Sequence, residues 1–228
     1  MPQVESRVVL PLVVVLGTFF IGWYLVGNEI MRRHARRLAI WSKRTLDPLG
    51  GTQAVQWLTL HAFRLEVEGA AAPFQRGSLT GLTESWDVPM IWLWNRLRGR
   101  RDMVLAQMTL HQQPLWGFEV YRPGSLLSKD SRHLARLEGW EEQPLGELMV
   151  AAAGDAPRQL AGRLVAELGD YRSRLVRLAV RRAGPHLTLA LTVPERGRPD
   201  PLDFQRLLQR VARAALRPEA DLRPPPGA

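Results

Sequence analysis

Three carboxylates surround Trp140: Glu138, Glu141 and Glu142. Two acids at that separation can perform acid–base chemistry when a pocket raises the pKa of one of them. A run of this kind is more often a solvated surface, so we assign no catalytic residue to it.

The five histidines are spread along the chain without the spacing of metal ligands: His34, His61, His111, His133 and His186. The sequence contains no phosphate-binding loop, no G-x-G-x-x-G, no H-E-x-x-H and no G-x-S-x-G. It contains no cysteine, which excludes disulfides, thiolate zinc sites and a cysteine nucleophile. We therefore predict no catalytic residue, no metal and no cofactor, and the sequence identifies no small-molecule ligand.

The segment from Asp87 to Arg101, DVPMIWLWNRLRGRR, has the most unusual composition. Tryptophan beside arginine is typical of a membrane interface, and both residue types are enriched in protein–protein hot spots. The alternative is that the tryptophans fill the core and the arginines lie in an exposed turn. We predict a partner or lipid surface formed by Trp92, Trp94, Arg96, Arg98, Arg100 and Arg101.

The basic charge of the chain is concentrated in one segment. The net charge is +9, and 29 of the 31 basic residues are arginines, a bias typical of a GC-rich, bacterial coding sequence. Residues 28–44 carry +5, and the 184 residues after them carry only +4. A nearly balanced body lacks the basic surface of a dedicated nucleic-acid binder, so no specific nucleic-acid partner is expected.

A membrane span is predicted near the N-terminus. Val8 to Gly27 is a run of 20 residues without a formal charge, which as a helix covers about 30 Å, the thickness of a bilayer's hydrocarbon core. Trp23 and Tyr24 fall near its far end, where such rings favour the headgroup layer. A cleaved signal peptide would have a basic start and a shorter apolar run. A core helix of a soluble protein rarely needs an uncharged stretch of this length.

The flanks of this span predict its orientation. Arg32, Arg33, Arg36 and Arg37 follow it and only Arg7 precedes it, and basic flanks stay on the cytoplasmic side. We expect a single-pass protein of the cell membrane, with its N-terminus outside and its C-terminal domain in the cytoplasm. The lipid bilayer is then one partner.

The basic segment after the span is predicted to continue as a helix. Met31, Ala35, Leu38 and Trp41 recur on one helical face, and basic residues occupy the rest. Such a segment acts as a topology signal and can also lie on an anionic leaflet. Pro48 and the glycines after it predict a break and linker over residues 45–53.

Alternating apolar residues predict strands in the body. Phe63, Leu65 and Val67 mark one strand. Residues 103–111 and 115–121 are predicted to pair as a hairpin through Gln112-Gln113-Pro114. Residues 70–101 are less readable, and residues 131–153 suggest a short helix and a strand.

The last third has the clearest pattern. It predicts a helix from Asp155 to Gly169, a hairpin with one apolar face around residues 176–193, and a helix that begins after Asp200-Pro201. The fold class is therefore α+β: one N-terminal transmembrane helix, then a soluble body of antiparallel strands with helices on one side. We divide the chain into a tail and span (1–27), a basic helix and linker (28–53), an α+β domain (54–217) and a disordered tail (218–228).

Two functions are consistent with these features. The first is a membrane-anchored protein whose cytoplasmic domain binds a protein partner or scaffolds a membrane complex without catalysis. The second is a membrane-tethered enzyme that acts on a lipid or envelope precursor, with a site that the fold assembles from distant residues.

Overall fold

The computed structural model describes residues 3–84, 86, 88–97, 101–194 and 197–216. Two predictions fall outside the described residues. They are the partner or lipid surface at Arg98 and Arg100, and the disorder of the tail 218–228. The helices and strands are α1 (Gln3–Leu46), β1 (Thr52–Thr59), β2 (Ala62–Glu68), β3 (Phe74–Leu82), α2 (Pro89–Leu97), β4 (Met103–Leu110), β5 (Phe118–Tyr121), α3 (Ser128–Leu137), β6 (Glu141–Leu145), β7 (Leu148–Ala152), α4 (Asp155–Glu167), β8 (Leu175–Val180), β9 (Leu187–Thr192) and α5 (Pro201–Ala215).

The predicted span and the basic segment form one helix, α1, of 44 residues. It runs two residues into the predicted linker, and a short 3-10 helix (Asp47–Leu49) leads to β1. The turn needs glycine at position 51, because φ there is +78° and a Cβ would lie 2.1 Å from the carbonyl oxygen of Glu68.

The strands form one sheet of nine in the order β1-β2-β3-β4-β9-β8-β5-β7-β6, and every pair is antiparallel. This confirms the α+β prediction of an apolar N-terminal helix followed by an antiparallel sheet with helices. β1 and β6 are its two edges.

The predicted hairpin of residues 103–121 is wrong, although both of its strands exist. β4 pairs with β3 and β9, whereas β5 pairs with β7 and β8. The β8–β9 hairpin, which is confirmed, lies between them. Its strands are buried on both faces, and such strands belong in the centre of a sheet rather than at an edge.

One face of the sheet holds the main core. Helices α4 and α5 and the C-terminal half of α1 pack there, over residues such as Phe63, Phe118 and Leu189. Helix α3 contacts β5, β7 and β8. Its Arg132 is near Tyr121, which points away from the main core, so α3 covers part of the other face. The α+β class is confirmed, but the predicted placement of the helices on one side does not hold for α3.

Helix α1 crosses the core face along the strands. Leu38 lies against Gly81 and Phe63, at the end of the sheet that carries the β1–β2 turn and the β3–β4 connection. Leu49 is at the opposite end, where its carbonyl oxygen accepts a hydrogen bond from the Ala71 N–H at 2.7 Å. We call the first of these ends, where α1 reaches the body, the entry end.

Candidate functional site

The apolar half of α1 projects from the entry end. Its side chains from Val9 to Val26 are exposed, apart from a half-buried Trp23. The helix is long and apolar enough to cross a membrane, and no residue of its apolar window is buried in the structure. A core helix of a soluble protein would be buried, so two readings of this segment remain, a membrane anchor and a signal sequence.

The basic half of α1 is divided into two faces, as its periodicity predicts. Met31, Ala35, Leu38 and Trp41 are buried against the body. Trp41 also donates a hydrogen bond from Nε1 to the carbonyl oxygen of Pro199 at 2.8 Å. The side chains of Arg32, Arg33, Arg36 and Arg37 are exposed, and Arg33 pairs with Glu29 at 2.6 Å.

Three tryptophans meet where α1 leaves the body. The Trp23 indole N–H donates to the carbonyl oxygen of Trp86 at 2.9 Å. The Trp92 ring lies 5.8 Å from that of Trp23 and 4.8 Å from that of Trp86, measured between centroids. The Trp86 N–H donates to Sδ of Met31 at 3.2 Å. These contacts hold α2 against α1.

Close approach of the two segments depends on Gly27. A Cβ on this residue would lie 2.3 Å from the carbonyl oxygen of Trp86, far inside contact distance. No separate signal in the sequence identifies Gly27, because its partner is distant in the chain.

Helix α2 separates the predicted tryptophan–arginine surface into an inner and an outer part. Trp92 is half-buried and packs inward against Trp23 and Trp86. Trp94 is 56% exposed, on the outer side, together with Met90, Leu93 and Leu97. These four residues follow the i, i+3, i+4, i+7 spacing of one helical stripe. Arg101 is exposed, and nothing is described of the Arg96 side chain.

A second apolar group at the entry end was not anticipated from the sequence. Trp57, Leu58 and Leu60 lie at the β1–β2 turn and are about half exposed. Together with Arg32 and Arg36 of α1 they line a hollow of about 450 Å³. The apolar run Trp57-Leu58-Thr59-Leu60 was the available signal, but it reads equally well as part of a buried strand.

The carboxylates near Trp140 do not form a pair. Glu141 and Glu142 are neighbours in β6, so their side chains point to opposite faces of the sheet. Glu141 pairs with Arg158 of α4 at 3.4 Å, on the core side. Glu142 is on the other side, near Tyr121. Burial raises the pKa of the Tyr121 phenol, Glu142 raises it further, and Arg132 opposes both.

A buried ion cluster was also missed. Glu119 is fully buried in β5 and accepts two hydrogen bonds from Arg177, from Nε at 2.8 Å and Nη2 at 2.6 Å. Arg181 adds a third, from Nη2 at 2.5 Å. The alternation of Arg177 with Val176 and Leu178 predicted a polar face there but not its acidic partner, which lies in a strand distant in sequence.

The hollows elsewhere are broad and differ in their lining. One, of about 660 Å³, is lined by Arg174, Arg206, Arg210 and Arg213 with Asp170 and Asp203. Burial raises the pKa of Tyr171 in its wall, and Asp203 adds to the rise. No histidine is among the described residues of this wall. Within the described ranges, no three metal-ligating side chains come together.

The histidines have separate roles. His34 stacks edge-on against Trp86 at 6.2 Å, and Nδ1 of His186 accepts a hydrogen bond from the Leu110 N–H at 3.0 Å. His61 is in the β1–β2 turn.

The exposed apolar groups of α2 and of the β1–β2 turn, together with the exposed arginines of α1, make the entry end the candidate site. No protein-family model matches the chain, and no curated protein resembles it significantly in sequence.

Proposed function

We propose that this chain is a single-pass protein of the cell membrane whose α+β body lies in the cytoplasm and binds a protein partner within a membrane complex. The anchoring part is supported by the exposed apolar half of α1. The orientation is supported by Arg32, Arg33, Arg36 and Arg37, which follow the span directly and which the positive-inside rule keeps in the cytosol.

The observation that carries the partner proposal is the edge of β1, which pairs only with β2 among the described residues. This strand is eight residues long, TQAVQWLT, with no charge and no proline, and it lies at the end of the sheet order. Proteins usually protect such an edge with charges, proline or a short strand, because its free N–H and C=O groups pair with other strands. The opposite edge, β6, is protected in this way by Glu141, Glu142 and Pro144.

An unprotected edge favours a partner that adds an extended segment to the sheet. A second copy of the chain in the same bilayer is an unfavourable source of this strand, because of the direction in which β1 runs. β1 runs towards the entry end, so two copies anchored in the same orientation have parallel β1 strands. The antiparallel pairing of a two-fold dimer would direct their α1 helices to opposite sides. We therefore expect the added strand to come from a different protein.

Because the chain has no cysteine, single-cysteine variants test the anchor cleanly. Leu137→Cys places a thiol on an exposed residue at the end of α3. In intact cells it should resist a membrane-impermeant maleimide and react after lysis, and the protein should sediment with membranes. Reaction in intact cells, or a soluble full-length protein, would overturn the proposed placement.

The partner proposal is tested by photo-crosslinking in whole cells. A photoreactive residue at Gln56 in β1 should give one discrete adduct in the membrane fraction, and the same residue at Gln143 in β6 serves as the matched edge control. Adding Val55→Lys should abolish the Gln56 adduct, because a charge blocks strand addition, whereas Val55→Thr should preserve it. Equal adducts from both edges, or none from Gln56, would refute use of β1.

A further inference from the structure

The apolar stripe of α2 faces outward at the level of the membrane anchor. Met90, Leu93, Trp94 and Leu97 are exposed, while the opposite side of the helix is held by Trp92 in the tryptophan cluster. A nine-residue helix with an apolar outer face and a fixed inner face has the form of an interfacial helix.

The contacts of α2 with α1 set its depth. Trp23, to which the Trp86–Trp92 unit is joined, lies four residues before the end of the predicted span, or about 6 Å along the helix axis. A segment packed against this turn is therefore level with the boundary between acyl chains and headgroups whenever α1 crosses the bilayer.

The turn between β1 and β2 approaches α1 from another side. Its residues Trp57, Leu58 and Leu60 lie beside Arg32 and Arg36, whereas α2 packs against Trp23, Gly27 and Met31. At 100° per residue, Arg32 and Arg36 are about 140–180° around the helix from Gly27. Two apolar groups thus flank the point where α1 enters the body.

We propose that these two groups, the α2 stripe and the β1–β2 turn, dock the body directly on the interfacial layer of the bilayer that α1 crosses. The proposal rests on the proposed membrane anchoring and extends it. Lipid is the occupant because α2 contacts the span at Trp23 and the turn lies beside Arg32 and Arg36, in the segment that directly follows the span. Tryptophan, leucine and arginine together are also the composition of an interfacial segment. Exposed arginines at positions 32 and 36 face lipid phosphates in this arrangement.

Docking on both sides of α1 fixes the body relative to the membrane. The strands stand upright on the bilayer, since α1 runs along them, and the first residues of β1 are at the far end from the lipid. The β1 edge is then presented to the cytosol at a defined height and orientation. A partner in the same membrane complex would find it in one place rather than on a freely rotating tether.

The test uses purified full-length protein, reconstituted at one copy per lipid nanodisc of phosphatidylcholine with a minority of phosphatidylglycerol. An environment-sensitive fluorophore is attached to Leu97→Cys on α2, Leu60→Cys on the turn, or Leu137→Cys as a control. Leu97 and Leu137 are similarly exposed, 75% and 70%, but Leu137 is at the other end of the sheet. A fourth label at Leu16→Cys reports on the anchor itself.

We expect labels at positions 97 and 60 to be blue-shifted and quenched several-fold more than the label at 137 by lipids that carry a quencher near the headgroups. The label at position 16 should be quenched by lipids that carry it deep in the acyl chains. Circular dichroism confirms that each labelled variant is folded.

If positions 97 and 60 resemble 137 while position 16 is quenched, docking is refuted and the anchor stands. Loss of quenching at position 16 refutes the anchor, and with it the basis for docking. The scaffold belt is the only other protein in the nanodisc, so no partner of the chain is present. If the α2 stripe binds a protein and not lipid, the label at position 97 should therefore stay unquenched, which would exclude lipid as its occupant.

Discussion

The indole N–H of Trp23, in the apolar half of α1, donates to the carbonyl oxygen of Trp86, 63 residues later in the chain. This bond joins the segment that can cross a membrane to the β3–β4 connection of the body. The apolar half of α1 and the domain are therefore packed together at this point.

Gly27→Ala should loosen that junction. The added methyl group would meet backbone atoms of Trp86, which cannot move aside as a side-chain end can, so we expect a loss of about 1–3 kcal/mol in the free energy of unfolding. Gly22→Ala is the matched control, because nothing lies within 4 Å of its Cβ. Thermal unfolding in mild detergent measures both, and equal unfolding temperatures would contradict the described packing.

The two tryptophans of α2 should behave differently when replaced. Trp92→Ser removes a ring packed between two others and should lower the free energy of unfolding by about 2–4 kcal/mol. Trp94→Ser changes an exposed residue and should stay within about 0.5 kcal/mol of the parent. Denaturant titration in detergent distinguishes the two variants. A larger loss of stability for the Trp94 variant would mean that Trp94, and not Trp92, faces the body, which would contradict the described orientation of α2.

Glu119→Gln should be strongly destabilising. The change leaves Arg177 and Arg181 without their buried counter-charge, a situation that costs about 3–5 kcal/mol. Glu141→Gln breaks an ion pair with a largely exposed carboxylate and should cost less than about 1 kcal/mol. Urea unfolding measures both variants, and a Glu119 variant as stable as the Glu141 variant would show that the buried cluster contributes little.

The body should lose stability at alkaline pH. The pKa of the Tyr121 phenol is raised in the folded protein above its ordinary value of 10.0, through burial first and then the Glu142 carboxylate. The unfolded state therefore loses its proton at lower pH, so the folded state is penalised as the pH rises above the unfolded pKa. Tyr121→Phe should reduce this loss, and Glu142→Gln should lower the pKa of Tyr121 in a spectrophotometric titration.

Tyr171 provides a comparison within the same chain. Burial and Asp203 raise the pKa of its phenol as well. The Tyr121→Phe variant should therefore keep part of the alkaline loss, and only the additional change Tyr171→Phe should remove most of it. An unchanged pH profile in the double variant would assign the loss to other groups.

Local pattern was sufficient for elements whose residues interact with near neighbours. The cap of α5 illustrates this: the Asp200 carboxylate accepts from the Leu202 N–H at 2.8 Å, and Pro201 occupies the first turn, as the residues predict. The β8–β9 hairpin followed similarly from two alternating runs and a short turn.

Pairing between distant strands could not be read in the same way. A turn signal at Gln112-Gln113-Pro114 predicted that β4 and β5 are neighbours, but β9 and β8 lie between them. A turn constrains only the few residues around it, whereas strand order is decided by which arrangement buries the most apolar surface of the whole sheet. The prediction that the β8–β9 hairpin has only one apolar face was wrong, since Thr188 and Ala190 on the other face are buried too. The hairpin lies in the centre of the sheet, where both faces are covered.

The sequence by itself determined that α1 has a long uncharged stretch followed by arginines, because charge and apolar length are properties of consecutive residues. It also determined which helical faces are apolar, through the periodicity of the backbone. Only the tertiary structure decided that Trp92 turns inward while Trp94 turns outward, that Glu119 is neutralised by two arginines, and that β1 lies at the edge of the described sheet. Each of these depends on side chains far apart in the chain, which are brought together only when the sheet has formed.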